Sequence, residues 1–305
     1  MSLALILALA MILDAALGEP RWVWSRVSHP AVVMGNLIAA ADARFNHGPF
    51  RQIKGAVTLV ALVLGAWITG WLIAQLGGVI TAIATAILLS HRSLVAHVEA
   101  VARGLRQSLA EGRRAVAQIV GRDTAQMDQA DVSRAAIESA AENVSDGVIA
   151  PLFWFLIAGL PGMMVYKMVN TADSMIGYRT PRHAEFGWAA ARLDDLLNLA
   201  PARLTALMIW ALHPPRSDWS GIATDAAKHR SPNAGWPEAA MARAIDTALS
   251  GPRSYHGTRE DFPFVHPRGT QDAGPAQILA ATSVLWRLWA SMLAVAACAA
   301  AGAPT

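Results

Sequence analysis

Glu138, Glu142 and Asp146 stand four residues apart in "QMDQADVSRAAIESAAENVSDG", a segment of high helical propensity as far as Gly147. On a helix that spacing puts three carboxylates on one face. Taken alone, such a row is a solvated acidic face. Two further polar rows follow, however. In "YKMVNTADSMIGY", Lys167, Asn170, Ser174 and Tyr178 form a stripe with Asp173 one step round. In "FGWAAARLDDLLNLAPARL", Arg192, Asp195 and Asn198 form another, with Asp194 beside it and Arg203 deeper in an apolar run. Carboxylates suit Mg²⁺, a hard cation, and Lys and Arg suit phosphate. A lone Cys298 and the lack of His or Cys clusters point away from zinc and thiol chemistry. There is no Walker-type loop and no Gly-x-Gly-x-x-Gly opening a helix. The residues alone reach a membrane enzyme acting on phosphate or carboxylate groups, with Mg²⁺ as a natural companion.

The elements that must position these side chains are apolar. The chain is 54% hydrophobic and 15% charged, with positive mean hydropathy, too apolar for an ordinary soluble domain of 305 residues. Gly55 to Ser90 contains no charged residue in 36 positions, whereas one membrane span needs about 20 residues. This predicts a helical hairpin over 55–92 turning at Gly77-Gly78. Residues 1–18 read as a retained first helix, because Asp14 interrupts the apolar run and no basic leader precedes it. The connector 19–54 has an excess of Arg and Lys, which argues for a cytoplasmic location. Net charge is only +3 and forms no stripe for nucleic acid, so no nucleic-acid partner is expected; the lipid bilayer is.

Residues 93–146 read as cytoplasmic amphipathic helices broken at Gly112 and Gly121. Gly159-Leu160-Pro161-Gly162 then breaks an apolar run and predicts a re-entrant hairpin that returns Lys167 to the side holding Glu142. A bare Arg or Asp near the bilayer centre costs about 2.5–3.5 kcal/mol on insertion scales, so the three stripes are expected to share one pocket. A second polar insertion, 213–276, carries the turn Ser231-Pro232-Asn233 ahead of a helix whose first turn holds Pro237-Glu238. The last apolar helix, 275–301, contains Arg287. The expected architecture is all-α: one polytopic integral-membrane domain, 1–305, with about four to six membrane segments and polar insertions near 93–146 and 213–276.

"LDAALGEP", "HPAVVMGNLI", "ENVSDGVIAPLF", "YKMVNTADSMIGY", "FGWAAARLDDLLNLAPARL" and "HRSPNAGWPEAAMA", in that order, resemble the membrane-bound adenosylcobinamide-phosphate synthases of cobalamin biosynthesis, the CobD/CbiB family. The resemblance covers nearly the whole chain; "IDTALSGPRSYHG" departs from the family's glycine-rich segment. It implies an ATP-dependent, amide-forming ligase in the cell (inner) membrane, with its active site facing the cytoplasm. The implied substrates are adenosylcobyric acid, a corrinoid, and aminopropanol phosphate or ethanolamine phosphate. ATP and Mg²⁺ are implied as cofactors and other corrinoid-pathway proteins as partners; the sequence specifies no oligomeric state.

On that footing Glu142, Asp146, Asp173, Asp194 and Asp195 are candidate proton acceptors or, for the four aspartates, Mg²⁺ ligands. Lys167, Arg192 and Arg203 are candidates to hold phosphate oxygens. Asn143, Ser145, Asn170, Ser174 and Asn198 are candidates to orient substrates. Ser231, Asn233 and Glu238 would add a second phosphate or corrinoid contact, and Asp14, Glu19 and His29 match the family's amino-terminal motif. The rival class is a transporter for a small anionic or corrinoid substrate, which also uses broken helices and intramembrane charges, although no inverted repeat is evident. A lipid-type phosphotransferase lacks its downstream Gly and Asp here, and a scaffold has no use for so many polar groups in apolar chain.

Overall fold

A computed structural model describes residues 1–213, 219–255 and 258–302. In chain order the helices are α1 (Leu3–Leu17), α2 (Arg21–Trp24), α3 (Pro30–Phe45), α4 (Arg51–Ala74), α5 (Gly78–Leu88), α6 (His91–Gln107), α7 (Leu109–Val116) and α8 (Gln129–Val144). A π turn, Ser145–Ile149, leads into α9 (Ala150–Ile176), α10 (Trp188–Leu197), α11 (Leu199–Leu212), α12 (Trp219–Ala226), α13 (Gly235–Ala244) and α14 (Pro275–Ala301). Four strands of two or three residues, β1 (Leu249–Ser250), β2 (Arg253–Tyr255), β3 (Thr258–Glu260) and β4 (Phe264–Val265), lie between α13 and α14. They pair antiparallel, β1 with β4 and β2 with β3.

This is a polytopic helical membrane protein. Among the described residues four stretches are long and apolar enough to cross a membrane: Arg51–Ala74, Gly78–Gln107, Gln129–Ile176 and Pro275–Ala301. The pair α10 and α11, bent by 41°, makes a fifth if counted as one span. The chain forms two compact units: residues 1–90, 146–199 and 293–305 make one, and 91–145 with 200–292 make the other.

In the first unit α4 shows how a membrane helix packs. Its buried positions, Gly55, Leu59, Ala66 and Gly70, form a narrow stripe of mostly small residues, while Val57, Val60, Leu64, Trp67, Ile68, Trp71 and Leu72 stay exposed. Lipid supplies no hydrophobic drive between helices, so close van der Waals approach over small residues holds them together. Gly70 meets the backbone of Leu160 and Pro161 so tightly that a Cβ there would lie 2.7 Å from the Pro161 Cα. Helix α4 packs along α9 in this way, and α10 covers both.

Helix α9 is folded on itself. Ala158 (φ −137°, ψ 21°) and Gly159 (φ 63°, ψ −159°) leave helical geometry, and Pro161 follows. The Gly159 conformation is open essentially to glycine alone. The Tyr166 hydroxyl then donates to the Asp146 carbonyl at 3.1 Å. Twenty residues of straight helix would separate them by about 30 Å, so the chain has reversed at the break. The hairpin expected from Gly159-Leu160-Pro161-Gly162 is present.

The second unit is built differently. Helix α6 buries Leu94, Val95, Val98, Val101 and Leu105 and exposes Arg92, Arg103 and Arg106. It packs on α7 and α8, and α13 packs on α8 and α12. An Asp128 capping box with Asp131 starts α8.

Several boundaries differ from the sequence reading. Residues 30–45 of the connector form a full helix, because His29 caps it by accepting from the Ala31 N–H at 3.2 Å and Pro30 suits the first helical position. Gly112 lies inside α7 and does not break it: a Cβ there would fall 2.3 Å from Leu105 Cδ2, so it is a close-packing residue, and the break is at Ser108. Gly147 does not end the helix either, since the π turn carries the chain through. Of the zone 213–276 and the segment "IDTALSGPRSYHG", residues 214–218 and 256–257 lie outside the described residues.

Candidate functional site

The π turn at Ser145–Ile149 builds the first cluster. A widened turn frees carbonyls from the ordinary helical ladder, and side chains take over. Ser90 Oγ donates to the Gly147 carbonyl at 3.0 Å, and the Tyr166 hydroxyl reaches the Asp146 carbonyl. The same hydroxyl lies 3.0 Å from Asn198 Oδ1, so one proton is shared between two acceptors. Asn198 Nδ2 donates to Asp194 Oδ2 at 3.0 Å, and Asn170 Nδ2 donates to Asp194 Oδ1 at 3.1 Å. A continuous polar network thus joins the π turn, the returning arm of α9 and α10, and it leaves Asp194 with an amide on each oxygen.

Lys167 follows Tyr166 on the returning arm and lies within electrostatic reach of Asp146 and Glu19. His29 adjoins the same group. Burial, aided by the Lys167 charge, holds its imidazole below the ordinary value against the pull of Glu19 and the Ile87 carbonyl. Glu19, His29, Asp146, Lys167 and the Asp194 network therefore belong to one neighbourhood. Asp14 is buried in α1, and its carbonyl accepts the Gly18 N–H that closes that helix.

The stripes are not all as the spacing suggests. On α10 and its C-cap the inward pair is Asp194 and Asn198, while Arg192 and Asp195 form a loose 3.9 Å ion pair, with Arg192 largely exposed. The apolar surface of α9 decides the rotation, and that is one residue away from the stripe drawn by spacing. Asn170 and Asn198 spend their amides on Asp194. Tyr178 is past the end of α9 and exposed. Ser174 Oγ donates to its own helix at Asn170 O, 2.9 Å, and Asn143 Nδ2 does the same at Ser139 O, 2.9 Å. Ser145 Oγ is buried with no hydrogen-bond partner among the described residues.

The second unit holds a different cluster. Glu138 is buried, as no solvated acidic face would be. Arg122 donates to its Oε2 at 2.9 Å, Arg253 lies at 3.4 Å, and the Ser250 N–H donates to Oε1 at 2.7 Å. Glu238 is also buried, with Oε1 3.6 Å from His229 Nε2 and, among the described residues, no hydrogen-bond partner for Oε2. Burial, followed by repulsion from Glu138 and Glu142, pushes its carboxyl well above the usual carboxylate range. Burial also lowers the His229 imidazole. Ser231 Oγ accepts the Asn233 and Ala234 N–H groups at 3.2 and 3.3 Å, which makes it a cap for the turn before α13. Arg203 stacks over Trp236 at 4.9 Å and donates to Asn233 Oδ1 at 3.2 Å. Glu142 and Asn143 are exposed.

Tyr166, Arg122, Arg253 and His229 carry these clusters and are not marked by residue pattern. Tyr166 had a usable signal: a tyrosine in apolar chain needs a partner for its hydroxyl. The arginines had none, because both lie outside α8 and meet Glu138 only through the fold.

Among the described residues no group of three or more His, Cys, Asp or Glu gathers as a metal cage. Asp194 is engaged on both oxygens and Asp195 pairs with Arg192, so neither fits a dedicated Mg²⁺ site. An ion carried on nucleotide phosphates needs only one or two carboxylates. The partly exposed Asp146 and Asp173 meet that smaller demand.

The family described as CobD/Cbib protein matches residues 7–285. Cobalamin biosynthesis protein CobD of Rhizobium meliloti is 46% identical over 301 residues, covering 92% of each chain. The protein of the same name from Rhodobacter capsulatus is 44% identical over 309 residues, covering 97% of this chain and 96% of that one. That of Brucella suis is 42% identical over 301 residues, covering 92% of each. No solved structure matches the chain. With the match spanning nearly all of its length, the chain belongs to the CobD/Cbib family.

Proposed function

We propose that the protein is an enzyme of cobalamin biosynthesis, an amide-forming ligase that joins adenosylcobyric acid to aminopropanol phosphate or ethanolamine phosphate with ATP. The product is adenosylcobinamide phosphate. Relatives at 42–46% identity over most of the chain are named for that pathway, which supports the coarser half of the reading over a transporter. The observation that carries the finer half is the folded-back α9, which keeps a cation, Lys167, beside Asp146 in a polar neighbourhood within apolar chain.

The chemistry explains why such a neighbourhood is needed. A carboxylate is a poor electrophile because its leaving group is oxide. ATP with Mg²⁺, when bound, supplies a phosphoryl group that converts the propionate to an acyl phosphate, releasing ADP. The amine then displaces phosphate and gives up a proton. In this reading Lys167 holds phosphate oxygens, and Asp146 takes the ammonium proton or meets a phosphate-borne Mg²⁺, with Asp173 as a second carboxylate. Asp194, fixed by Asn170 and Asn198, orients this wall. Arg192, Arg203, Ser231, Asn233, Glu142 and Glu238 are secondary candidates. The site faces the cytoplasm from the inner membrane, where soluble charged substrates can reach it.

The test is purified protein in detergent with adenosylcobyric acid, each amino-alcohol phosphate, ATP and Mg²⁺, with corrinoid products followed by mass spectrometry. Product that requires every component upholds the ligase. Folded protein that yields none, but moves a corrinoid across sealed vesicles, returns the transporter.

A further inference from the structure

The second unit contains an open hollow of about 140 Å³ lined by Arg122, Asp123, Gln126, Asp131, Arg134, Ser250 and Arg253. Three guanidinium groups line one small space. Arg122 and Arg253 are anchored from behind by the buried Glu138. Arg134 pairs with Asp131 and donates to the Gln271 carbonyl at 2.9 Å. Stacking fixes their planes further, Arg134 over Phe264 at 5.8 Å and Arg253 over Phe262 at 5.4 Å.

These anchors do not exhaust the donors. A guanidinium carries five N–H groups in a fixed fork. Arg122 spends one hydrogen bond on Glu138 and Arg134 spends two. Their side chains are only 9% and 11% exposed, so little water competes for the rest. Preoriented, half-desolvated forks beside a hydroxyl, Ser250, and an amide, Gln126, form a donor set for a polyoxygen anion. The pairing with Glu138 and Asp131 sets the forks in place and keeps the hollow from drawing every anion.

We propose that this hollow binds the phosphate group of a small phosphorylated molecule, with Arg122 and Arg134 as its principal donors and Arg253 and Ser250 beside them. The inference rests on the ligase reading for the choice of ligand, since two co-substrates of that reaction carry phosphate: the nucleotide and the amino-alcohol phosphate. Neither Arg122 nor Arg134 falls in a polar stripe of the sequence, and the site is separate in residue content from the Asp146 neighbourhood.

The experiment is isothermal titration of the full chain in detergent with ATP, with aminopropanol phosphate and with inorganic pyrophosphate, on wild type, Arg134→Gln and Gln126→Glu. Gln126 is exposed and makes no hydrogen bond among the described residues, so Gln126→Glu adds a negative charge to the rim without breaking a contact. Both variants are expected to weaken one of the two phosphate esters about tenfold or more, the loss of a charge-assisted bond or the gain of a repulsive charge. Whichever ester weakens identifies the occupant. Pyrophosphate binding that Gln126→Glu weakens upholds the hollow even where no amide product forms, which separates this inference from the ligase reading. Wild-type affinity for all three ligands in a folded Gln126→Glu protein, or no binding of any of them to wild type, overturns it.

Discussion

The Tyr166 hydroxyl sits 3.1 Å from the Asp146 carbonyl and 3.0 Å from Asn198 Oδ1, at the point where the π turn, the returning arm of α9 and α10 meet. The residue is fully buried, so its two acceptors have no water to replace it. Tyr166→Phe is expected to cost about 1–3 kcal/mol, the penalty of buried acceptors left unmet, and to lower turnover by loosening Asp146 and Asp194. Thermal unfolding in detergent with parallel rate measurements tests this. A phenylalanine variant as stable and as fast as wild type would mean that the hydroxyl merely fills space.

Gly159 makes the reversal possible. Its φ of 63° with ψ of −159° is forbidden to side-chain-bearing residues, so Gly159→Ala should destabilise the protein by about 1–3 kcal/mol. Pro161→Ala should cost less, because the break already precedes it. Equal melting temperatures for wild type and Gly159→Ala would show that the chain turns by another route.

Asp146→Asn keeps the shape of the side chain and removes its charge beside Lys167. If it receives the ammonium proton or meets a phosphate-borne cation, the rate of amide formation falls by about tenfold to a thousandfold with little change in melting temperature. A near-wild-type rate would take Asp146 off the catalytic list.

Glu138 is the hub of a buried ion cluster whose side chains are 7% (Glu138) and 9% (Arg122) exposed. Removing one partner leaves the others' charges uncompensated, so Glu138→Ala is expected to cost about 3–5 kcal/mol. Denaturation that tracks wild type within a fraction of that would show the cluster to be solvated.

Glu238 gives a pH signature. Burial and the neighbouring Glu138 and Glu142 raise its carboxyl above its ordinary 4.5 in the folded protein. A raised value stabilises the fold fully below about pH 4.5, and that contribution is lost as pH climbs toward the folded value. Glu238→Gln mimics the protonated acid, so its melting temperature should fall less than that of wild type between pH 5 and pH 9. Parallel curves would place the Glu238 proton outside the folding balance.

Much of this protein is readable from residue order. Apolar runs uninterrupted by charge can be stable only in lipid or in a core, so the membrane class, α1, the turn near Gly77 and the terminal helix α14 follow from composition and length. The Gly159–Gly162 break follows from backbone sterics, which act locally. Tertiary structure alone decided which side of each helix turned inward. Asp194 and Asn198 face the network while Arg192 and Asp195 do not, because packing against α9 and α4 fixes the rotation and polar spacing cannot. The same holds for Glu138, which looks solvated by pattern and is buried where Arg122, 16 residues before it, and Arg253, from beyond α13, converge on it. Gly112 reads as a breaker and packs inside α7 for a related reason: its missing Cβ makes room for Leu105, and the sequence does not say who the neighbour will be.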